Sequence, residues 1–311
     1  MTPRRAAFSP DVSNKRLCLL QVHAHPDDEA SKGAGTTARY AAEGVHTVLV
    51  TCTDGAAGDI LNPAADSPEV RADIRAVRLR ELEDSVRILG YGSAHMLGYR
   101  DSGMPGTDAN AHPESFAQAP LEEAVERLVR IVRAERPQVI VTYGDDHRGY
   151  PHPDHIRTHE ISVAAFEAAG DPERFPDAGP AFQPLKLYYT GWTRARLLAL
   201  HNAFVARGEE SPYVDWIAKW DPEMPEVPMT TRIDVGDFLD QRRAALLAHR
   251  TQVDPAGFWM RLPEDIVREV FPWEEYLLAR SLVDAVVPDG GWEDDLFSGL
   301  RTSAALRRAA G

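Results

Sequence analysis

Short, almost wholly apolar runs, each ending in polar residues and followed by a helical pattern, recur through the first half of this chain. Few folds accept that order. Leu17 to Val22, His46 to Thr53 and Val139 to Tyr143 read as strands, the first apolar at nearly every position as expected for a sheet covered on both faces and the last rich in β-branched residues. Ala94 to Leu97 reads as a shorter fourth. Between them Ala30 to Ala42, Val70 to Leu89 and Leu121 to Glu135 carry helical periodicity, and Gly44 and Gly90 stand where the first two should stop. A further helix is read from about Asp154 to Ala169. Strand alternating with helix predicts the α/β class: a Rossmann-like, doubly wound, mostly parallel sheet. Beyond Gly170 the pattern loosens. Leu185 to Tyr189 and Thr230 to Val235 read as strands, Arg194 to Arg207 and Phe238 to His249 as helices. The expectation is a mixed α/β C-terminal part that completes a cleft.

Doubly wound sheets bind ligands outside the carboxyl ends of their strands. Every chemically suggestive cluster falls there. His25-Pro26-Asp27-Asp28-Glu29 follows the first strand, Asp54 the second, Arg100 and Asp101 the third, and Tyr150-Pro151-His152-Pro153-Asp154-His155 the fourth. Pro26 and Pro153 each suit the first position of a helix. Carboxylates in a first helical turn need no special reason, because the helix dipole favours them. A histidine beside them does. Imidazole plus carboxylate at a strand end is a donor set for a divalent ion, and His25 and Asp28 are its candidates. His152, His155 and His159 are spaced three and four apart, so pairs of them can share a helix face. His155, in the first turn, is better placed as a ligand than His159, a full turn deeper. Two imidazoles and one carboxylate leave a position open for water, the catalytic zinc arrangement, although an N,N,O site also accepts Fe2+. Zinc lowers the pKa of bound water from about 15.7 towards about 7. Asp27 can then serve as base, His152 can donate a proton or hold an oxyanion, and Asp154 can fix a histidine tautomer or simply cap a helix.

Composition narrows the remaining choices. With 311 residues, 43% hydrophobic and 26% charged, the chain can bury a large core. A net charge of -14 argues against nucleic-acid binding, which needs a cationic surface. Two cysteines, Cys18 and Cys52, each inside an apolar run, point to buried thiols and a reducing, cytoplasmic setting. No apolar run approaches the roughly 18 residues of a membrane span, so no membrane partner is expected. The expected organisation is a loose leader over 1–15, a Rossmann-like metal-hydrolase core over 16–170, a C-terminal α/β part over 171–286 and a tail over 287–311, whose Trp292 and Phe297 could dock. Oligomeric state leaves no mark in the sequence.

Ala24-His25-Pro26-Asp27-Asp28-Glu29 together with His152-Pro153-Asp154-His155 resembles the paired motifs of the LmbE-like (PIG-L) zinc-dependent de-N-acetylases, which hydrolyse N-acylated glucosamine-type substrates. The resemblance implies one Zn2+ per chain on His25, Asp28 and His155, with Asp27 as general base. It further implies that His152 assists the transition state and that Tyr150 is a mobile tyrosine polarising the carbonyl. Arg78 and Asp101 would hold sugar and inositol hydroxyls, and Lys32 is a further candidate substrate contact. The likeness extends through Asp59-Ile60-Leu61-Asn62-Pro63, Lys186-Leu187-Tyr188-Tyr189 and Arg250-Thr251-Gln252-Val253-Asp254-Pro255 to the family branch that cleaves mycothiol S-conjugates. That branch implies a small-molecule thiol-conjugate substrate, split at its cysteinyl–glucosamine amide. Deacetylation of N-acetylglucosaminyl-inositol is the alternative. Trp216 and Trp220 are expected to shape the cleft around the S-linked group.

Overall fold

The computed structural model describes residues 16–145, 150–221, 223, 225–257, 260–284 and 291–301. The leader over 1–15, the segment 146–149 and most of the tail lie outside the described residues. Helices and strands follow in the order β1 (Cys18–His23), α1 (Asp28–Ser31), α2 (Ala34–Ala42), β2 (His46–Thr53), α3 (Pro68–Ala72), α4 (Ile74–Leu89), β3 (Ser93–Tyr99), α5 (Asp108–Ala111), α6 (Leu121–Glu135), β4 (Val139–Tyr143) and α7 (Pro153–Ala168). The second half adds β5 (Lys186–Gly191), α8 (Arg194–Ala206), α9 (Val214–Ala218), β6 (Thr231–Asp234), α10 (Leu239–Ala248), α11 (Glu264–Val270) and β7 (Trp273–Ser281).

One seven-stranded sheet, in the order β3-β2-β1-β4-β5-β7-β6, runs through both halves. Its first five strands are parallel, and β7 pairs antiparallel with both β5 and β6. The doubly wound, mostly parallel architecture is therefore the one the alternation predicts. Side chains of a strand alternate between faces, and in β1, β2 and β4 both faces are buried, whereas the edge strand β3 exposes one of them. Leu20, Val22, Val48, Val50 and Ile140 pack with Val125, Leu128 and Val129 of α6 and Ile161 and Ala165 of α7. On the opposite face Leu19, Val139, Val141 and Tyr188 pack with Tyr40 of α2 and with Leu296 and Phe297 near the C-terminus. The chain reverses between β1 and β4, so the strand order diverges there and a crevice opens at their carboxyl ends.

Two of the expected helices are broken, each for a local reason. The run over 30–42 divides at Gly33, whose φ of +89° falls in the left-handed region. The turn lets the first N–H groups of α2, from Gly35 and Thr36, donate to the Glu274 carboxylate at 3.1 and 2.8 Å. A Cβ at Gly33 would come within 3.1 Å of Gln21 and 3.2 Å of Tyr276. The run over 70–89 divides at Asp73, whose side chain accepts from Ala76 N–H at 3.1 Å and caps α4. The loop over 108–120 contains the short α5 and a 3-10 turn at Phe116–Gln118. Among the described residues no helix is long and apolar enough to cross a membrane.

Residues 291–301 are docked against the sheet. Glu293 forms an isolated bridge to Thr231, and its buried carboxylate accepts from Lys186 Nζ at 2.5 Å, Tyr188 OH at 2.6 Å and Thr231 Oγ1 at 2.8 Å. Phe297 is fully buried against the edge of Tyr40, with ring centres 5.3 Å apart, whereas Trp292 lies at the surface under the Arg232 guanidinium. Lys186 is also fully buried, so removing its partner would strand an ammonium in the core. Glu293→Ala is expected to lower stability by about 3–5 kcal/mol, the cost of orphaning one member of a buried pair. Urea unfolding of the full chain measures it, and a midpoint equal to that of the parent would contradict the assignment.

Candidate active site

The site is built at the end of β1. Leaving the strand, the chain passes His23 and Ala24, turns at His25-Pro26-Asp27, and starts α1 at Asp28. The turn requires an unusual backbone at Asp27, with φ of +118° and ψ of -24°. For a residue with a Cβ such a conformation costs about 1–3 kcal/mol and persists only when its surroundings enforce it. Here the enforcement is explicit. Asp27 N–H donates to Glu29 Oε2 at 2.9 Å, and Asp27 C=O accepts from Ala30 and Ser31 N–H at 3.1 Å each. Arg78 reaches across from α4 to donate to Pro26 C=O at 2.5 Å and Asp27 Oδ2 at 3.0 Å, and also to Gly55 C=O. Glu29 is itself pinned by Ser85 of α4 at 2.5 Å and by His249 at 2.6 Å.

Asp28 lies at the centre. Its Oδ2 accepts from His25 N–H at 2.9 Å and from the hydroxyl of Tyr143, the last residue of β4, at 2.8 Å. The same oxygen is 3.4 Å from His25 Nδ1 and 3.5 Å from His155 Nε2, while Oδ1 accepts from Lys32 Nζ at 2.5 Å. Donor atoms of His25, Asp28 and His155 all lie within 4.8 Å of one another. His25 Nε2 meets Asp154 Oδ2 at 3.1 Å. Asp154 is fully buried and acceptor-only when ionised, so that contact places a proton on Nε2 and leaves Nδ1, on the Asp28 side of the ring, as the nitrogen that could take an ion. Ser102 N–H and Oγ hold Asp154 in turn. Two imidazole nitrogens and a carboxylate oxygen, with the histidine tautomer set from behind, form a set that fits a divalent ion. A second set of donors, His25, Asp101, His152 and Asp154, shares His25 with the first.

The charges follow from burial and these contacts. Burial would raise the Asp28 carboxyl, but Lys32 and His155 hold it well below the usual range. Burial opposes charge on His25, and its bonds to Asp154 and Asp28 outweigh that, raising it to about 10. Burial pulls His155 down to about 4, which keeps its imidazole neutral and its lone pair available. Burial also lowers His152, helped by the neighbouring His25. Asp27 is raised by burial against the pull of Arg78.

The residues singled out in the sequence converge. His25, Asp27, Asp28, Lys32, Arg78, Asp101, Tyr150, His152 and His155 all line one cleft of about 410 Å³, and Asp154 lies beneath it. Their surroundings differ. Tyr150 is 54% exposed, and its ring centre is 5.1 Å from that of His155. His152 caps α7, with Nδ1 accepting from Asp154 N–H at 3.2 Å. Asp101 is buried and accepts from Ala57 and Gly103 N–H. Arg78, expected to meet sugar hydroxyls, is 2% exposed, with Nη2 engaged by the Asp27 turn and Nη1 by Gly55 C=O. His159 bonds the Tyr143 carbonyl at 3.0 Å and lies outside both donor sets. Trp216 and Trp220 do not line the cleft: Trp216 is exposed on α9 and Trp220 packs in a separate cluster with Leu197, Phe204 and Tyr213. The apolar wall is instead Leu61, Met104, Leu246 and Val253, and Gln252 joins it.

Three contributors escaped the sequence reading. Tyr143 ends the strand beside β1, a position that topology flags but composition does not. Ser85 and His249 stand 56 and 220 residues from Glu29, with no local signal in either case.

Comparison with known proteins places this geometry. Residues 20–166 match the family described as PIG-L, GlcNAc-PI de-N-acetylase. A mycothiol S-conjugate amidase of Streptomyces coelicolor is 49% identical over 296 residues, covering 93% of this chain and 99% of that protein. A 1D-myo-inositol 2-acetamido-2-deoxy-alpha-D-glucopyranoside deacetylase of Geodermatophilus obscurus is 40% identical over 290 residues, covering 91% and 97%. Among solved structures, the N,N'-diacetylchitobiose deacetylase of Pyrococcus horikoshii shares the fold, with a TM-score of 0.59 at 19% identity and 88% of each chain covered.

His155→Ala and Asp28→Ala are each expected to lose bound metal after dialysis against a weak chelator, whereas His159→Ala keeps it. Metal content by mass spectrometry distinguishes them, and metal retained by both of the first two would remove this donor set.

Proposed function

The chain belongs to the PIG-L, or LmbE-like, de-N-acetylase family, and from that premise we propose that it is a zinc-dependent amidase acting on mycothiol S-conjugates. It would split the cysteinyl–glucosamine amide to give an N-acetylcysteine S-conjugate and glucosaminyl-inositol, a step in thiol-based detoxification. The observation that carries the reading is the 49% identity to an amidase of that name across nearly the whole of both chains. The cleft is consistent with it. Its lining combines Asp59, Asp101 and Lys32, suited to a polyhydroxylated head, with exposed Leu61 and Met104, suited to a variable apolar substituent on sulfur. Two buried free thiols, Cys18 and Cys52, support a reducing, cytoplasmic setting.

His25, Asp28 and His155 would hold a divalent ion, which would supply Lewis-acid activation of water and of the amide carbonyl. Zinc is the favoured ion, with Fe2+ compatible with the same donors. The chain's own residues do the rest. Arg78 occupies Asp27 Oδ2, so Oδ1 is the atom left to take a proton from the attacking water. The enforced turn at Asp27 holds that oxygen in place before substrate arrives, which removes the need to reorganise during reaction. His152 can hand a proton to the leaving amine, and the Tyr150 hydroxyl can donate to oxygen as the carbonyl becomes tetrahedral. Exposure of Tyr150 leaves it free to move onto the substrate.

Asp27→Asn is expected to lower kcat by about 10²–10⁴-fold with metal content unchanged, the range for loss of a general base. A metal-replete, fully active variant would eliminate that role. The deacetylase reading draws on the relative that is 40% identical. A bimane-labelled mycothiol conjugate assayed beside N-acetylglucosaminyl-inositol separates the two: kcat/KM is expected to favour the conjugate, and a preference for the acetylated sugar would assign the chain to the deacetylases.

A further inference from the structure

A second cavity, of about 50 Å³, lies between α8, α10 and β7, away from the metal-binding donors. Its lining is mixed in an unusual way: apolar side chains surround the guanidiniums of Arg196 and Arg242. Arg196 is 8% exposed, flanked by the rings of Trp192 at 4.3 Å and Phe271 at 5.9 Å. Among the described residues neither guanidinium has a hydrogen-bond or carboxylate partner, and Arg242 Nε is buried with nothing to donate to. Burial pulls Arg196 down to about 10, and the like charge on Arg242 adds to the effect. Leaving a buried guanidinium and the buried Nε of a half-buried neighbour of the same sign unpaired is expensive.

Glu274 and Glu275 favour the Arg196 charge through space, but no surrounding carboxylate among the described residues bonds either guanidinium. Glu264 pairs with Arg243 at 2.9 Å and Glu275 with Arg232 at 3.0 Å. Glu274 lines the cavity, but its oxygens accept from Gly35 N–H, Thr36 N–H and Thr36 Oγ1. Three guanidiniums (Arg196, Arg242, Arg243) thus line the cavity with two carboxylates (Glu264, Glu274), an excess of one positive charge. The space exceeds the ~10–15 Å³ that a single water requires.

We propose that this cavity is a binding site for a small monovalent anion, a halide or a short carboxylate, gripped between Arg196 and Arg242. One such charge neutralises the excess and gives both guanidiniums an acceptor. Its location has a consequence for the cleft. Arg242 and Arg243 sit on α10, which also carries Leu246, a residue lining both cavities. Immediately after α10 comes His249, which holds Glu29 behind the Asp27 turn. An anion there ties α10 to α8 and steadies the helix from which that support hangs.

Thermal unfolding of the metal-loaded full chain tests the proposal at fixed pH and ionic strength, with sodium gluconate replaced stepwise by chloride or by acetate. The expected result is a Tm that rises by a few degrees with the logarithm of anion concentration, as linkage requires. The two arms show whether a halide or a carboxylate is preferred. Arg242→Gln, which leaves the metal-binding donors untouched, is expected to flatten the rise. Identical Tm in all three salts would overturn the site, and so would an undiminished rise in a folded Arg242→Gln. Should that variant fail to fold, bromide-soaked crystals of the parent decide: anomalous density between Arg196 and Arg242 supports the site, and none at saturating bromide overturns it.

Discussion

The Asp28 carboxylate is the junction on which the site depends. It gathers the backbone N–H of His25, the Tyr143 hydroxyl and the Lys32 ammonium, and it faces the imidazoles of His25 and His155. Those partners come from the turn after β1, from β4, from α7 and from the segment joining α1 to α2. A buried carboxylate without such company would protonate. With it, the charge persists, and a negative oxygen stays fixed between two imidazole nitrogens. Parallel pairing of β1 with β4 makes this possible, because it brings the carboxyl ends of two strands separated by 120 residues to the same edge.

Behind that junction stands a second set of contacts with a different task. Arg78, Glu29, Ser85 and His249 hold the Asp27 turn in a conformation it would not adopt alone. The division explains how adjacent acidic residues can differ. Asp28 is held well below the ordinary carboxylate range by Lys32 and His155 despite its burial, whereas Asp27 is raised by burial despite Arg78. One carboxylate suited to holding an ion and a neighbour suited to taking a proton emerge from one short motif, because their environments separate them.

The second half of the chain contributes to both sets without carrying the principal chemistry. It widens the sheet with β5, β6 and β7 and caps α2 through Glu274. It also supplies Leu246, Gln252 and Val253 to the cleft. Its aromatic residues do not shape the cleft as their density suggests. They pack around the smaller cavity instead, where Arg196 lies against Trp192.

The sequence alone determined the sheet, its parallel core and the end at which chemistry would gather. Apolar runs of period and length suited to buried strands are written locally, and so are Pro26 and Pro153 at helix starts. It also marked nine residues that share the cleft, most of them because motifs at strand ends need only topology to converge, with Arg78 and Lys32 marked through the family resemblance. It misjudged continuity where a single residue decides, as at Gly33 and Asp73, since helical periodicity runs on through a break. Only the tertiary structure decided that Arg78 braces a turn, that Glu293 joins the far end of the chain to β6, and that His249 supports Glu29 across 220 residues. Such roles belong to pairs distant along the chain, and a buried polar group reveals its purpose only through the partner that folding brings to it.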